Sequence, residues 1–189
     1  MSSHSKEELK VYVYIIGWKG IVLDIEKASK LFKMFIGKPL GVAKPNPNTI
    51  YNAPLVLSMY ETLYLCEKGV AKPLIHGVEI SCTDLEKYSE RIMPQFRRKY
   101  MVFKQLREQG YVVRSGMKFG SDFTVYELGP GLEHAPYVVT VVSCNDSLRA
   151  VDIVGLGRIG HSVRKRSVLA IVDEKTGSVN YIVFKWVKI

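Results

Sequence analysis

At 189 residues the chain has room for one large domain or two small ones, and 47% hydrophobic residues suffice for a packed core. A net charge of +9 and a pI of about 9.4 point to an anionic partner, nucleic acid ahead of a membrane surface. No apolar run reaches spanning length, and the polar start MSSHSKEELK does not read as a secretory signal. Cys66, Cys82 and Cys144 are odd in number and widely spaced, and each lies in or beside an apolar stretch. They read as buried, reduced thiols of a cytoplasmic protein, with no metal-ligand spacing.

In chain order, residues 11–16 (VYVYII) and 21–24 (IVLD) predict a hairpin around Gly17–Gly20. Residues 25–35 have helical spacing. Residues 37–48 (GKPLGVAKPNPN) are rich in Gly, Pro and Asn and predict an irregular, exposed basic loop carrying Lys38 and Lys44. Residues 52–69 read as an amphipathic helix capped by Asn52 and stopped by Gly69. VEIS (78–81) is a short strand, Thr83 and Asp84 open a helix, and Pro94 breaks it. A further helix ends at Gly110. Then come the strand patterns YVVR, KFGSDFTVYEL and APYVVTVVS, a helix over about 147–165, and two closing strands around Lys175–Thr176–Gly177.

This pattern predicts an α/β (α+β) protein. A small mixed domain spans 1–92 and a second α/β domain spans 93–189. The apolar final strand needs a cover at its edge, and a second subunit is the expected one, with Phe184 and Trp186 as contacts.

Three residues of the second half have the chemistry for metal-free cleavage of RNA. Tyr126 offers a phenol, His134 an imidazole and Lys165 an ammonium, each at the edge of a predicted element. RNA carries its own nucleophile. The 2′-OH must lose a proton, the leaving 5′-oxygen must gain one, and charge on the phosphate must be stabilised. His4, His76 and His161 have less support, although His161 lies near the site in sequence.

The blocks GYVVRSGMKFGSDFTVY, EHAPYVV, GRIGHSVRKRSVLAIVD and VNYIVFKWVKI resemble the archaeal tRNA-splicing endonucleases in their catalytic-subunit form. The first half is similar more loosely, through LFKMFIGKPLG and LSMYETLYLCEKG. The resemblance implies a restriction-endonuclease-like fold for the C-terminal domain. It also implies cleavage of precursor tRNA at bulge–helix–bulge elements, leaving a 2′,3′-cyclic phosphate and a 5′-OH, without metal or cofactor. The family's catalytic tyrosine, histidine and lysine fall on Tyr126 (general base), His134 (general acid) and Lys165 (charge stabiliser). Arg158 matches an arginine that stacks on a flipped bulge base. A second such arginine is missing near Ser178–Asn180. The family works as a tetramer or an equivalent assembly. The loop at 37–48 and the single-unit length favour the crenarchaeal heterotetramer with a non-catalytic partner, with Lys44 and Lys38 as further RNA contacts.

Two other functions compete. One is a non-catalytic RNA-binding or scaffold subunit, which would have no need to keep Tyr126, His134 and Lys165 together. The other is a dinucleotide-dependent oxidoreductase. Gly155, Gly157 and Gly160 satisfy G-x-G-x-x-G, and Asp173 ends an apolar strand downstream. Too little chain follows that motif to build a mononucleotide-binding half, so these glycines are expected to let a helix pack closely on a sheet.

Overall fold

The structure, a computed structural model, describes residues 9–185. The chain divides into two compact units, Met1–Pro94 and Gln95–Ile189. Each is a layered α/β body with its own mixed sheet, and the described residues hold five α-helices. None of these helices is long and apolar enough to cross a membrane.

The first unit opens with β1 (Val11–Ile16) and β2 (Lys19–Val22), the antiparallel hairpin expected from the sequence. Gly17 takes the turn at φ +56°. In β1, Val11, Val13 and Ile15 are buried and Tyr12, Tyr14 and Ile16 exposed, so one face meets the core. Helix α1 (Ile25–Lys33) starts where Asp24 accepts the backbone N–H of Lys27 at 3.0 Å.

The basic loop is less irregular than predicted. Lys38 and Pro39 form a short strand, β3, against β4 (Leu55–Ser58). This is possible because Gly37, at φ +65°, nests against Leu55 and Leu57, where any Cβ would meet side-chain carbons at 2.5–2.8 Å. The rest of the loop is exposed at Lys44 and folds on itself. Tyr51 Oη accepts the N–H of Asn46 at 2.8 Å, and the Tyr51 ring meets the Phe32 ring edge-on.

The helix predicted over 52–69 is shorter and starts later. Leu55 and Leu57 are buried on alternate positions and join the sheet beside β2. Ser58, not Asn52, caps α2 (Met59–Glu67) in a capping box with Glu61. Buried Glu61 also accepts the N–H of Gly37 at 2.8 Å, tying the helix start to β3. Strand β5 (Ala71–Ile75) was not apparent from the sequence and runs parallel to β1. With β6 (Val78–Glu79) it completes the order β3-β4-β2-β1-β5-β6. Helix α3 (Cys82–Ile92) begins at Ser81, which accepts the N–H of Asp84.

The cysteine reading needs correction. Cys66, at the end of α2, and Cys82, at the start of α3, form a disulfide with Cα atoms 5.7 Å apart. Only Cys144 is free among the described residues, and it is exposed, not buried. The hairpin of β5 and β6 returns the chain and brings the two sulfurs together, which spacing alone does not reveal. A loop of this length is worth about 3 kcal/mol of unfolded-state constraint. Cys82→Ser is therefore expected to lower the first unit's stability by about that amount. Guanidinium unfolding of the oxidised protein and the variant checks this, and equal midpoints would show the bond to be energetically idle.

The second unit starts with α4 (Phe96–Glu108), which ends before Gly110 at φ +92°. Phe96, Tyr100 and Phe103 line its buried face, and Phe103 meets Phe123. The sheet has the order β11-β10-β9-β8-β7. It is built from β7 (Val112–Ser115), β8 (Phe123–Tyr126), β9 (Tyr137–Ser143), β10 (Arg166–Asp173) and β11 (Ser178–Phe184). Residues 118–128, predicted as one strand, instead hold a 3-10 turn at Met117–Phe119 before β8. The cause is Gly120, which turns the chain at φ +72°, and Gly116, whose missing side chain lets Ser121 and Phe123 come close.

β9 and β10 are parallel and are joined by the crossover helix α5 (Ala150–Ser162). Residues 167–170 of β10 are all buried, as a strand covered on both faces requires. Arg98 of α4 clamps the far end of the sheet through Asp146 (3.1 Å) and Glu174 (2.7 Å). β11 is the edge strand and exposes Ile182 and Val183. Phe184 is half-buried, and Trp186 lies outside the described residues.

Candidate active site

Tyr126 closes β8, half-buried and opposite Val112 of β7. Its backbone is held by the antiparallel register on that side, and its strand neighbours Thr124 and Val125 are buried. The next residue, Glu127, accepts the hydroxyl of Tyr137 at 3.0 Å. Arg166 lies over that same ring and donates to the same hydroxyl at 3.2 Å.

His134 is exposed on the loop between β8 and β9. That loop is built by its own side chains. Glu133 accepts the N–H groups of Leu128 (2.6 Å) and Gly129 (3.4 Å), and Gly129 and Gly131 take positive φ. Ala135 is buried and anchors the residue after the histidine.

Lys165 follows α5. Its backbone N–H reaches Gly160 O at 2.9 Å after Arg164 takes φ +53°. Its ammonium donates to Ala135 O at 2.6 Å and lies 5.2 Å from the centroid of the Phe119 ring. Residues far apart in sequence are thus tied together, with the lysine fixed to the carbonyl next to His134. Burial, and then the nearby ammonium of Lys118, hold the Lys165 pKa below the usual lysine value. Lys118, exposed on the 3-10 turn, was not singled out from the sequence. The motif GMKFGSD was visible, but no spacing says that its lysine returns to Lys165.

Of the three motif glycines only Gly160 is needed for close packing; a Cβ at Gly155 or Gly157 would meet nothing within 4 Å. Gly155, Gly157 and Gly160 all lie inside α5, not in a strand-to-helix turn. A Cβ at Gly160 would meet Lys165 O at 2.8 Å and the Ser167 side chain at 3.0 Å, so this glycine lets the helix settle on the start of β10. Asp173 spends its carboxylate on the N–H groups of Lys175 and Thr176. No dinucleotide site is formed by these residues.

Arg158 is exposed on α5 and borders an open cleft of about 580 Å³ with Ile159, His161 and Ser162. A second cleft, about 860 Å³, is lined by Lys165, His161, Arg164 and Arg166 together with Glu127 and Pro136. Neither Tyr126 nor His134 lines it; Glu127, next to Tyr126, and Pro136, two residues after His134, do. The clefts share His161 and present a cationic surface suited to phosphates. Lys38 and Lys44 belong to the other unit. Among the described residues no group of three or more His, Cys, Asp or Glu is placed to hold a metal ion.

Residues 96–181 match the tRNA intron endonuclease catalytic C-terminal domain, and residues 11–85 match that endonuclease's N-terminal domain. This chain belongs to the tRNA intron endonuclease family. The chain is 42% identical over 180 residues to a tRNA-splicing endonuclease of Saccharolobus islandicus (strain L.S.2.15 / Lassen #1), covering 94% of this chain and 99% of the relative. It is also 42% identical to tRNA-splicing endonucleases of Sulfurisphaera tokodaii and Hyperthermus butylicus. These matches cover 90% and 92% of this chain, and 95% and 97% of the relatives. The family's two-domain architecture therefore accounts for both units, and the cationic surface of the second lies within its catalytic domain.

Proposed function

We propose that this tRNA intron endonuclease is a catalytic subunit that cuts precursor tRNA at bulge–helix–bulge sites by 2′-OH attack, without a metal. The observation that carries the reading is the 2.6 Å bond from Lys165 to Ala135 O, which fastens the charge stabiliser to the loop bearing the general acid. Tyr126 takes the 2′-OH proton, and the 2′-oxygen attacks the adjacent phosphorus. Lys165 stabilises the negative charge that develops on the phosphorane oxygens. His134 protonates the departing 5′-oxygen, leaving a 2′,3′-cyclic phosphate and a 5′-OH.

Arg158 is proposed to stack on an unpaired bulge base, and Lys44 and Lys38 to reach phosphates from their exposed positions. The edge strand β11, with Ile182 and Val183 exposed, supports assembly with a second, non-catalytic subunit into a tetramer. The chemistry is tested by mixing the assembled enzyme with a bulge–helix–bulge RNA in EDTA and identifying the ends. Cleavage is expected to persist and to leave a cyclic phosphate. A 3′-OH product, or loss of the chemical step with the RNA still folded, would exclude this mechanism.

A further inference from the structure

Lys118 has no role in the reading above. It sits on the turn Gly116–Ser121, and that turn is braced from every side. The N–H groups of Phe119 and Ser121 donate to Gly116 O at 2.8 and 3.3 Å. Gly116 has no room for a side chain, since a Cβ there would lie 2.3 Å from Ser121 Oγ and 2.7 Å from the Phe123 backbone. Asp122 locks the exit of the turn by accepting the N–H of Val141 and pairing with Lys99, both at 2.8 Å. A turn held this firmly fixes where its side chains project.

Two ammonium groups meet over one ring there. Lys118 Nζ lies 4.6 Å and Lys165 Nζ 5.2 Å from the Phe119 centroid. The two charges lie within roughly 10 Å of each other, about the Debye length at 0.1 M salt, so salt does not fully screen their repulsion. The nearby carboxylates are engaged elsewhere: Asp122 with Lys99, Glu127 with Tyr137, Glu133 with the loop N–H groups. The aromatic face offsets part of the repulsion. A phosphodiester placed between the two lysines would remove the remainder.

We propose that Lys118 is a second phosphate-contacting lysine of this site, and that Phe119 is the platform holding it and Lys165 on the same scissile phosphate. The proposal rests on the endonuclease reading of Lys165. It adds a cation from the 3-10 turn to the one that follows α5, so the phosphate is gripped from two separate elements. An ammonium on the phosphate contributes to binding and also stabilises the charge that the phosphate gains as the 2′-oxygen attacks.

The test is single-turnover cleavage of a bulge–helix–bulge RNA by the assembled enzyme at saturating protein. Wild type, Lys118→Ala, Lys118→Arg and Lys165→Ala are compared, with thermal midpoints measured alongside. Lys118→Ala is expected to cut roughly 10- to 100-fold more slowly with an unchanged midpoint, because the lysine is exposed. Lys118→Arg, which keeps the charge, is expected to recover most of the rate. The salt slope of RNA binding is expected to fall by about 0.7–0.9 in Lys118→Ala, the loss of one phosphate contact. A wild-type rate and slope in Lys118→Ala, with Lys165→Ala inactive, would overturn this inference and leave the endonuclease reading standing. An equal loss in Lys118→Arg would overturn it as well, since charge would not be what matters. A wild-type rate in Lys165→Ala would instead sink the reading on which the proposal stands.

Discussion

His134→Ala is expected to lower the single-turnover cleavage rate by roughly 10²- to 10⁴-fold, the usual cost of losing a general acid. The fold has little stake in this side chain. It is exposed, and its loop is held by Glu133 on the N–H groups of Leu128 and Gly129 and by buried Ala135. The Lys165–Ala135 bond uses a backbone carbonyl, so it survives the substitution. RNA binding should therefore persist while chemistry fails. Parallel gel-shift and single-turnover measurements separate the two. A wild-type rate would remove His134 from the mechanism. An equal loss of binding and rate would make it a binding residue only.

Tyr126→Phe should slow the chemical step by a similar factor, because it removes the hydroxyl alone. The ring stays, and with it the packing at the end of β8 and the register with Val112. Stability is expected to change little, which a thermal melt checks. An undiminished single-turnover rate in Tyr126→Phe would assign the base to another group.

Several features were legible in the sequence for plain physical reasons. The β-branched and aromatic run VYVYII, followed by Gly17–Gly20, marks a hairpin strand, and β1 buries every second residue. Gly110 ends α4, and Thr176–Gly177 turn the chain between β10 and β11, since positive φ there favours glycine. The blocks around Tyr126, His134 and Lys165 were readable because each is local. Their order along the chain is independent of how the chain folds.

What the sequence left open was decided by contacts between distant residues. The start of α2 moved from Asn52 to Ser58 because Leu55 and Leu57 found a place beside β2. Local spacing alone cannot weigh that sheet pairing against helix propensity. Cys66 and Cys82 bonded because a hairpin lies between them. GLGRIG fell inside α5, where Gly160 alone packs against the backbone of Lys165. The pairing of Lys118 with Lys165 over Phe119 has the same origin. Residue type and spacing set which chemistry the chain carries and where each short element turns. Only tertiary packing decides which of those groups share a few ångströms of space, because burial and register are properties of the whole sheet.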